Sequence, residues 1–200
     1  MTEQSSLQAA RENLHYIRKT LEAAGQLTAV SGLSLMATGV IALAGAAVNH
    51  FVTGAPWSAA NPRTALSVWA IALVLSVAVV LCGIYRKSQR IGTPVQLPLV
   101  RKLLWTLCPA LFLGALFTFV AARSGNLDWI PLIWLGCYGA AIASAGQHSV
   151  APVRCMGLCF LALAGATALC PKEAGLAWLA LGFGWLHLIF GTYIARRHNG

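Results

Sequence analysis

Long apolar runs separated by short polar segments dominate the chain from residue 27 onward. A helix rises about 1.5 Å per residue, so roughly 20 apolar residues are needed to cross a hydrocarbon core of about 30 Å. The sequence contains six such runs, which predict six transmembrane helices: Leu27–Val48, Ala65–Tyr85, Leu103–Ala122, Trp129–Gly146, Cys155–Cys170 and Leu176–Ala195. The fifth run is short unless its helix begins near Val150, which would place Arg154 in the headgroup region.

The residues before the first run follow a different pattern. Apolar positions recur there on one helical stripe, with charged residues on the other faces: Leu7, Ala10, Leu14, Ile17, Leu21 and Ala24. This pattern predicts an amphipathic helix over residues 1–26 that lies in the cytoplasm or on the membrane surface. The heptad spacing of Leu7, Leu14 and Leu21 leaves open a short coiled coil with a partner. The transmembrane bundle would then occupy residues 27–200.

Composition agrees with a membrane protein. Hydrophobic residues make up 58% of the 200-residue chain and charged residues only 10%. These values exclude an ordinary soluble domain and a disordered chain. We therefore expect an all-α polytopic protein whose six helices form three successive hairpins, since short loops join the helices in pairs.

The charged residues predict the orientation of the helices. Fourteen Lys and Arg against five Asp and Glu give a formal net charge of +9. With six spans, eleven of the basic residues fall on the side of the two termini and three on the other side. Short basic loops stay in the cytoplasm, so this distribution predicts cytoplasmic termini in the inner, or plasma, membrane of a bacterium. Anionic lipid accounts for the excess positive charge, and a nucleic acid partner is not expected.

The acidic residues argue against several kinds of chemistry. Glu3, Glu12, Glu22, Asp128 and Glu173 all lie outside the apolar runs or at their edges. Ion-coupled pumps and acid–base enzymes of the membrane usually place a charged residue within the bilayer. We therefore expect a protein that is not an enzyme and needs no cofactor.

His187 is the one side chain deep within an apolar run that belongs to a residue type with a pKa near neutral pH. It shares a helix face with Ala180, Gly184 and Gly191, residues small enough to let two transmembrane helices approach closely. One interpretation is a histidine that hydrogen-bonds to a carbonyl or hydroxyl group of a neighbouring helix. The alternative is a polar contact for a neutral or lipophilic, quinone-like ligand, with Tyr138 and Gln147 as the other candidate residues.

Two cysteines and a histidine suggest a second, separate candidate site. Cys155 and Cys159 are one helical turn apart, and His148 precedes them on the same side of the membrane. Thiolate and imidazole groups bind soft metals, so these three residues are candidate metal ligands. Cysteine is also a common small apolar residue in packed helices, which leaves a purely structural interpretation open.

Parts of the sequence resemble known membrane proteins. The last hairpin, from Met156 through Pro171 to Gly191, is similar to the hairpin unit of the HdeD-type membrane proteins and covers about a fifth of the chain. The segments Tyr16–Glu22, Thr28–Gly32 and Gly182–His187 resemble a group of uncharacterised six-span bacterial membrane proteins. Both resemblances imply a six-helix architecture and carry over no functional residue.

The sequence therefore favours a non-catalytic membrane protein that acts as a sensory, scaffold or accessory subunit. Its expected partners are the anionic lipid at its basic face and a second copy or another membrane protein. Binding or passive transport of a neutral lipophilic molecule is the alternative.

Overall fold

A computed structural model describes residues 31–53, 57, 62–91 and 97–197, together with Asn13, Leu14, Tyr16 and Ile17. These residues are almost entirely helical. Five helices follow in order: α1 (Gly32–Thr53), α2 (Pro62–Ile91), α3 (Leu97–Ser124), α4 (Ile130–Ala145) and α5 (Ala151–Leu169). The chain then continues through α6 (Gly175–Leu179), a π-helical segment (Ala180–Leu186) and α7 (His187–Arg197).

Within the described part of the chain, six helical stretches are long and apolar enough to cross a membrane: Gly32–Thr53, Pro62–Arg86, Leu103–Ser124, Leu127–His148, Ala151–Leu169 and Lys172–Arg197. The last stretch contains α6, the π-helical segment and α7, and is called the last span below. The prediction of an all-helical chain with six helices long and apolar enough to span a membrane is confirmed for the described residues.

The first helix extends further along the chain than its apolar run. The sequence predicts that α1 ends at Val48 and that a loop begins at Asn49, but the helix continues to Thr53. The Thr53 hydroxyl donates a hydrogen bond of 2.6 Å to the carbonyl oxygen of Asn49, which closes the final turn. The Asn49 side chain is 1% exposed, because it continues the buried stripe formed by Thr38, Ala42 and Ala46.

Helix α5 begins close to Val150, as the longer of the two possible forms of the fifth predicted helix requires. Val150 has an extended backbone (φ −66°, ψ 145°), and Pro152 lies in the first turn, where its missing N–H is tolerated. The helix begins at Ala151, so Arg154 lies within its first turn and is exposed.

Glycines bring α1 and the last span together as antiparallel neighbours. A Cβ atom added at Gly32 would lie 2.6 Å from the carbonyl oxygen of Gly191, and one added at Gly39 would lie 2.8 Å from that of Gly184. Gly32 and Gly39 are seven residues apart in α1, and Gly184 and Gly191 are seven residues apart in the last span. The two helices therefore remain in contact over two turns. Small residues of this kind favour helix packing in a membrane. Apolar side chains gain little free energy there when they move from lipid into a protein interface, because both surroundings are apolar.

The same principle joins α4 to α5. A Cβ atom at Gly139 would lie 2.9 Å from the Cβ of Phe160, and one at Gly157 would lie 2.7 Å from the Cα of Ala143. Helix α2 packs on α1, α3 packs on α4, and the last span packs chiefly on α1. The grouping of the six spans into three repeated hairpins stays a prediction.

The predicted helix over residues 1–26 lies outside the described residues except for four positions. Asn13, Leu14, Tyr16 and Ile17 are helical, and all four are exposed. The predicted boundary between this segment and the bundle also lies outside the described part of the chain.

Candidate functional site

A π-helical segment places His187 in the centre of the bundle. Backbone angles stay helical where the segment begins and ends (φ −63°, ψ −40° at Ala180; φ −63°, ψ −37° at His187), so the last span is continuous. π-Turns hold more residues than α-turns and are frequent at functional sites. Two glycines let the wider segment fit between its neighbours: a Cβ at Gly184 would lie 2.7 Å from Leu43 Cγ, and one at Gly182 would lie 3.1 Å from a ring carbon of Phe160.

His187 is hydrogen-bonded to Tyr138, one of the two other ligand candidates from the sequence. The Tyr138 hydroxyl oxygen lies 2.8 Å from Nε2 of His187, across 49 residues of sequence. Tyr138 lies in the middle of α4, and His187 is the first residue of α7 and is 1% exposed. The bond therefore joins two spans near the middle of the bundle.

Aromatic rings surround this pair. Phe160 of α5 lies 4.8 Å from the Tyr138 ring and 5.6 Å from the His187 ring, measured between centroids. Phe183 of the π-helical segment lies 5.1 Å from Tyr138 and stacks on His187 at 6.3 Å. The imidazole thus packs against rings on α4 and α5, whereas Gly184 and Gly191 contact α1. The small-residue face that the sequence assigns to His187 belongs to a different helix contact.

In the part of the chain that the structure describes, the second ring nitrogen of His187, Nδ1, does not face a side-chain partner as Nε2 does. Among the described residues, Nδ1 is buried and has no hydrogen-bond partner. The backbone carbonyl groups of Gly182 and Phe183 lie against the imidazole, and carbonyl groups only accept hydrogen bonds. This surrounding favours the neutral tautomer with its proton on Nδ1, so the Tyr138 hydroxyl donates to Nε2. A neutral histidine also avoids burying an unpaired charge.

Gln147, the third ligand candidate, lies away from this pair. It belongs to a short turn of 3-10 helix, Gly146–His148, that follows α4, and its side chain is exposed. Gln147 follows Tyr138 by nine residues, which is about 14 Å along a helix axis. The structure therefore brings two of the three candidates together and leaves Gln147 at the end of the bundle.

The candidate metal ligands are not assembled into a site. His148, Cys155 and Cys159 all fall in the described part of the chain, where no group of three or more potential ligands is arranged to hold a metal ion. The buried residues of α5 include Val153, Met156 and Phe160, whereas Cys155 is exposed. Cys155 and Cys159 keep the spacing of one helical turn within α5, and Cys159 is half-buried.

A row of aromatic residues, which the sequence did not predict, extends from the Tyr138–His187 pair toward one end of the bundle. Phe183 lies 6.0 Å from Trp69 of α2, Trp69 lies 5.9 Å from Trp134 of α4, and Trp134 lies 5.6 Å from Trp57. The Trp57 indole N–H donates to the carbonyl oxygen of Leu127 at 2.7 Å. The spacing of Ala65, Trp69 and Ala72 on one face of α2 is the only sequence signal that could have indicated this row.

Comparisons with protein-family models, with curated proteins and with solved structures find no match. The resemblance to the HdeD-type proteins therefore stays a prediction.

Proposed function

We propose that this protein is a non-catalytic membrane protein that acts as a sensory, scaffold or accessory subunit. The observation that carries the proposal is the closed Tyr138–His187 pair. Its hydroxyl and Nε2 atoms are 2.8 Å apart and are enclosed by the rings of Phe160 and Phe183. Polar groups that bind each other in this way fix the packing of two helices, which is a structural role.

The distribution of charge supports a location in the inner membrane of a bacterium, with both termini in the cytoplasm. Exposed arginines of four spans lie at one end of the bundle: Arg86, Arg101, Arg154, Arg196 and Arg197. At the opposite end, Lys172 forms an ion pair of 3.4 Å with Asp128. Anionic lipid headgroups are the partners that suit the basic end. The amphipathic helix over residues 1–26 would lie on the same surface.

The exposed surface of α3 supports a scaffold or accessory role. Among the side chains described in α3, only Gly114 and Ala121 are buried. Phe112 is 69% exposed and Phe119 is 59% exposed. Helix α3 packs mainly on α4, which leaves most of its apolar surface for lipid, a second copy or another membrane protein.

Photo-crosslinking in native membranes tests this role. A photo-reactive amino acid replaces Phe112 of α3 in one variant and Ile189 of the last span, which is 58% exposed, in the control variant. We expect a protein adduct of defined mass from position 112 and only lipid adducts from position 189. Lipid adducts alone from both positions would contradict the accessory-subunit proposal.

A second function is favoured by the burial of His187 in a mostly aromatic surrounding, formed by the rings of Tyr138, Phe160 and Phe183. This is binding or passive transport of a neutral or lipophilic, quinone-like molecule with His187 as the polar contact. Mass analysis of small molecules that co-purify with the protein tests it. A stoichiometric molecule that is present in the wild type and absent from His187→Phe would favour this function over the first.

A further inference from the structure

Asn49 of α1 and Trp69 of α2 each bury a polar atom that has no partner among the described residues. These atoms are the amide oxygen Oδ1 of Asn49 and the indole nitrogen Nε1 of Trp69. Asn49 is 1% exposed and Trp69 is 6% exposed. Buried polar atoms in native proteins are normally hydrogen-bonded to protein, to ordered water or to a ligand. Because the two atoms lie on neighbouring helices, one shared partner could serve both.

The packing of α1 and α2 places the two residues at the same level. A Cβ atom at Gly45 would lie 3.4 Å from the Cβ of Ala72, and one at Gly83 would lie 3.0 Å from the Cβ of Ser34, so the helices are antiparallel neighbours. Asn49 follows Gly45 by one helical turn, and Trp69 precedes Ala72 by one turn. Because the helices are antiparallel, both steps lead in the same direction. Both side chains also lie on the buried faces of their helices.

The chemistry of the two atoms is complementary, although they do not bond to each other. Oδ1 only accepts a hydrogen bond, and the indole N–H only donates one. A hydroxyl group meets both requirements, since its oxygen accepts from Trp69 while its proton is donated to Asn49. A carbonyl group would leave Oδ1 unpaired, and a carboxylate or ammonium group would bring an uncompensated charge into the bundle.

The walls of the site are apolar. The Trp69 ring lies 5.9 Å from the ring of Trp134 and 6.0 Å from that of Phe183. The Gly45–Ala72 contact closes the side toward the middle of the bundle. A molecule that places a hydroxyl group between Asn49 and Trp69 would therefore have an apolar body.

We propose that Asn49 and Trp69 bind a single hydroxyl group, which accepts a hydrogen bond from the indole and donates one to the amide. The hydroxyl belongs to a lipophilic alcohol or to a bound water molecule. The site depends neither on His187 nor on the accessory-subunit proposal, and its failure would leave that proposal unchanged.

Tryptophan fluorescence of the purified full-length protein in detergent micelles tests the alcohol. The probes are a long-chain alcohol with a terminal bromine, which quenches indole fluorescence on contact, and the matching bromoalkane without the hydroxyl. Two hydrogen bonds together favour the alcohol by about tenfold in half-saturating concentration. We expect this preference in the wild type and its loss in Asn49→Leu and in Trp69→Phe.

A control variant distinguishes the loss of the binding site from the loss of one fluorescent indole. Trp185 is 53% exposed on the outer face of the last span, so Trp185→Phe removes one indole and leaves the site intact. We expect Trp185→Phe to keep the tenfold preference. Trp69→Phe retains an aromatic ring in the packing, so it reports on the site even if Asn49→Leu fails to fold.

Nuclear magnetic resonance distinguishes water from an alcohol. The indole N–H signal of Trp69 is assigned by its absence in Trp69→Phe, and a cross-relaxation peak to water is then sought without any alcohol. A water peak that is lost in Asn49→Leu, with no preference for the alcohol, identifies water as the source of the hydroxyl. The absence of both the alcohol preference and the water peak in the wild type would overturn the proposal.

Discussion

At the level of single residues, the Tyr138–His187 hydrogen bond illustrates how little energy one polar contact contributes in a membrane. Such bonds between transmembrane helices average about 0.6 kcal/mol, because unfolded helices in lipid also find partners. The pair matters more for geometry. Phe160 and Phe183 pack against the two rings, and the bond joins the hydroxyl to Nε2 across two spans.

Replacement of Tyr138 by Phe removes the hydroxyl and keeps the ring. We expect Tyr138→Phe to destabilise the bundle by about 1 kcal/mol, since the bond is lost and Nε2 of His187 is left unpaired. Thermal unfolding in detergent measures the effect. Tyr193→Phe is the matched control, because Tyr193 is 47% exposed, and it should leave the midpoint unchanged.

A double-mutant cycle shows whether the two residues act together. The cycle consists of Tyr138→Phe, His187→Phe and the double variant, in which an aromatic ring remains at both positions. We expect the double variant to be more stable than the sum of the single effects predicts, by about 0.6–1.7 kcal/mol. Strictly additive effects would mean that the 2.8 Å contact contributes no coupling energy.

Tyr138 and His187 were predicted as contacts of one ligand, by residue type and depth in the apolar runs. Their pairing could not be read from the sequence, because it depends on the rotation of two helices whose contact residues are 49 positions apart. Gln147 was grouped with them for its chemistry, but it lies at the end of the bundle. Asn49 was assigned to a loop because the first apolar run ends at Val48. Its burial depends on how α1 packs in the bundle, which no local pattern describes.

At the level of helices, glycines determine which spans can approach most closely. The tightest contacts involve glycine positions where an added methyl group would meet the backbone of another helix, as at Gly32, Gly139 and Gly157. Glycine is frequent throughout the apolar runs, so its presence alone did not predict which pairs of helices meet. The π-helical segment had no sequence signal beyond the closely spaced Gly182 and Gly184.

Two glycines of α5 provide a matched test of close packing. A Cβ atom at Gly157 would lie 2.7 Å from the Cα of Ala143, whereas one at Gly165 would meet nothing within 4 Å. We expect Gly157→Ala to destabilise the protein by about 1–3 kcal/mol, because α4 and α5 must move apart. Gly165→Ala should be neutral or slightly stabilising, because alanine favours a helix over glycine. Equal unfolding midpoints for the two variants would contradict this account of the α4–α5 contact.

At the level of the whole molecule, the apolar runs were sufficient to predict six spans because hydrophobic length is a property of the sequence alone. The order in which the spans pack was not predictable in the same way. The last span contacts α1, which is far from it in the sequence. Helix α3 keeps most of its surface exposed. Similar apolar composition in all six runs gives no preference for one neighbour over another.

The amino-terminal segment provides a test of how the molecule is divided. We expect deletion of residues 1–26 to leave a bundle that folds in detergent, because the described spans contact one another through their own glycines and aromatic rings. Size-exclusion chromatography and thermal unfolding of the shortened protein measure this. An aggregated product would mean that the segment is part of the core and that the predicted boundary is wrong.

Orientation in the membrane can be tested with residues at the two ends of α4. Asn126 precedes this helix and Gln147 follows it, and both side chains are exposed. If the termini are cytoplasmic, as eleven of the fourteen basic residues indicate, Asn126 faces outward and Gln147 faces the cytoplasm. A membrane-impermeant maleimide should then label Asn126→Cys in intact cells and Gln147→Cys only after permeabilisation, relative to the wild-type background. The reverse pattern would invert the orientation and place the five exposed arginines of the basic end outside the cell, where the positive-inside rule would not hold for this protein.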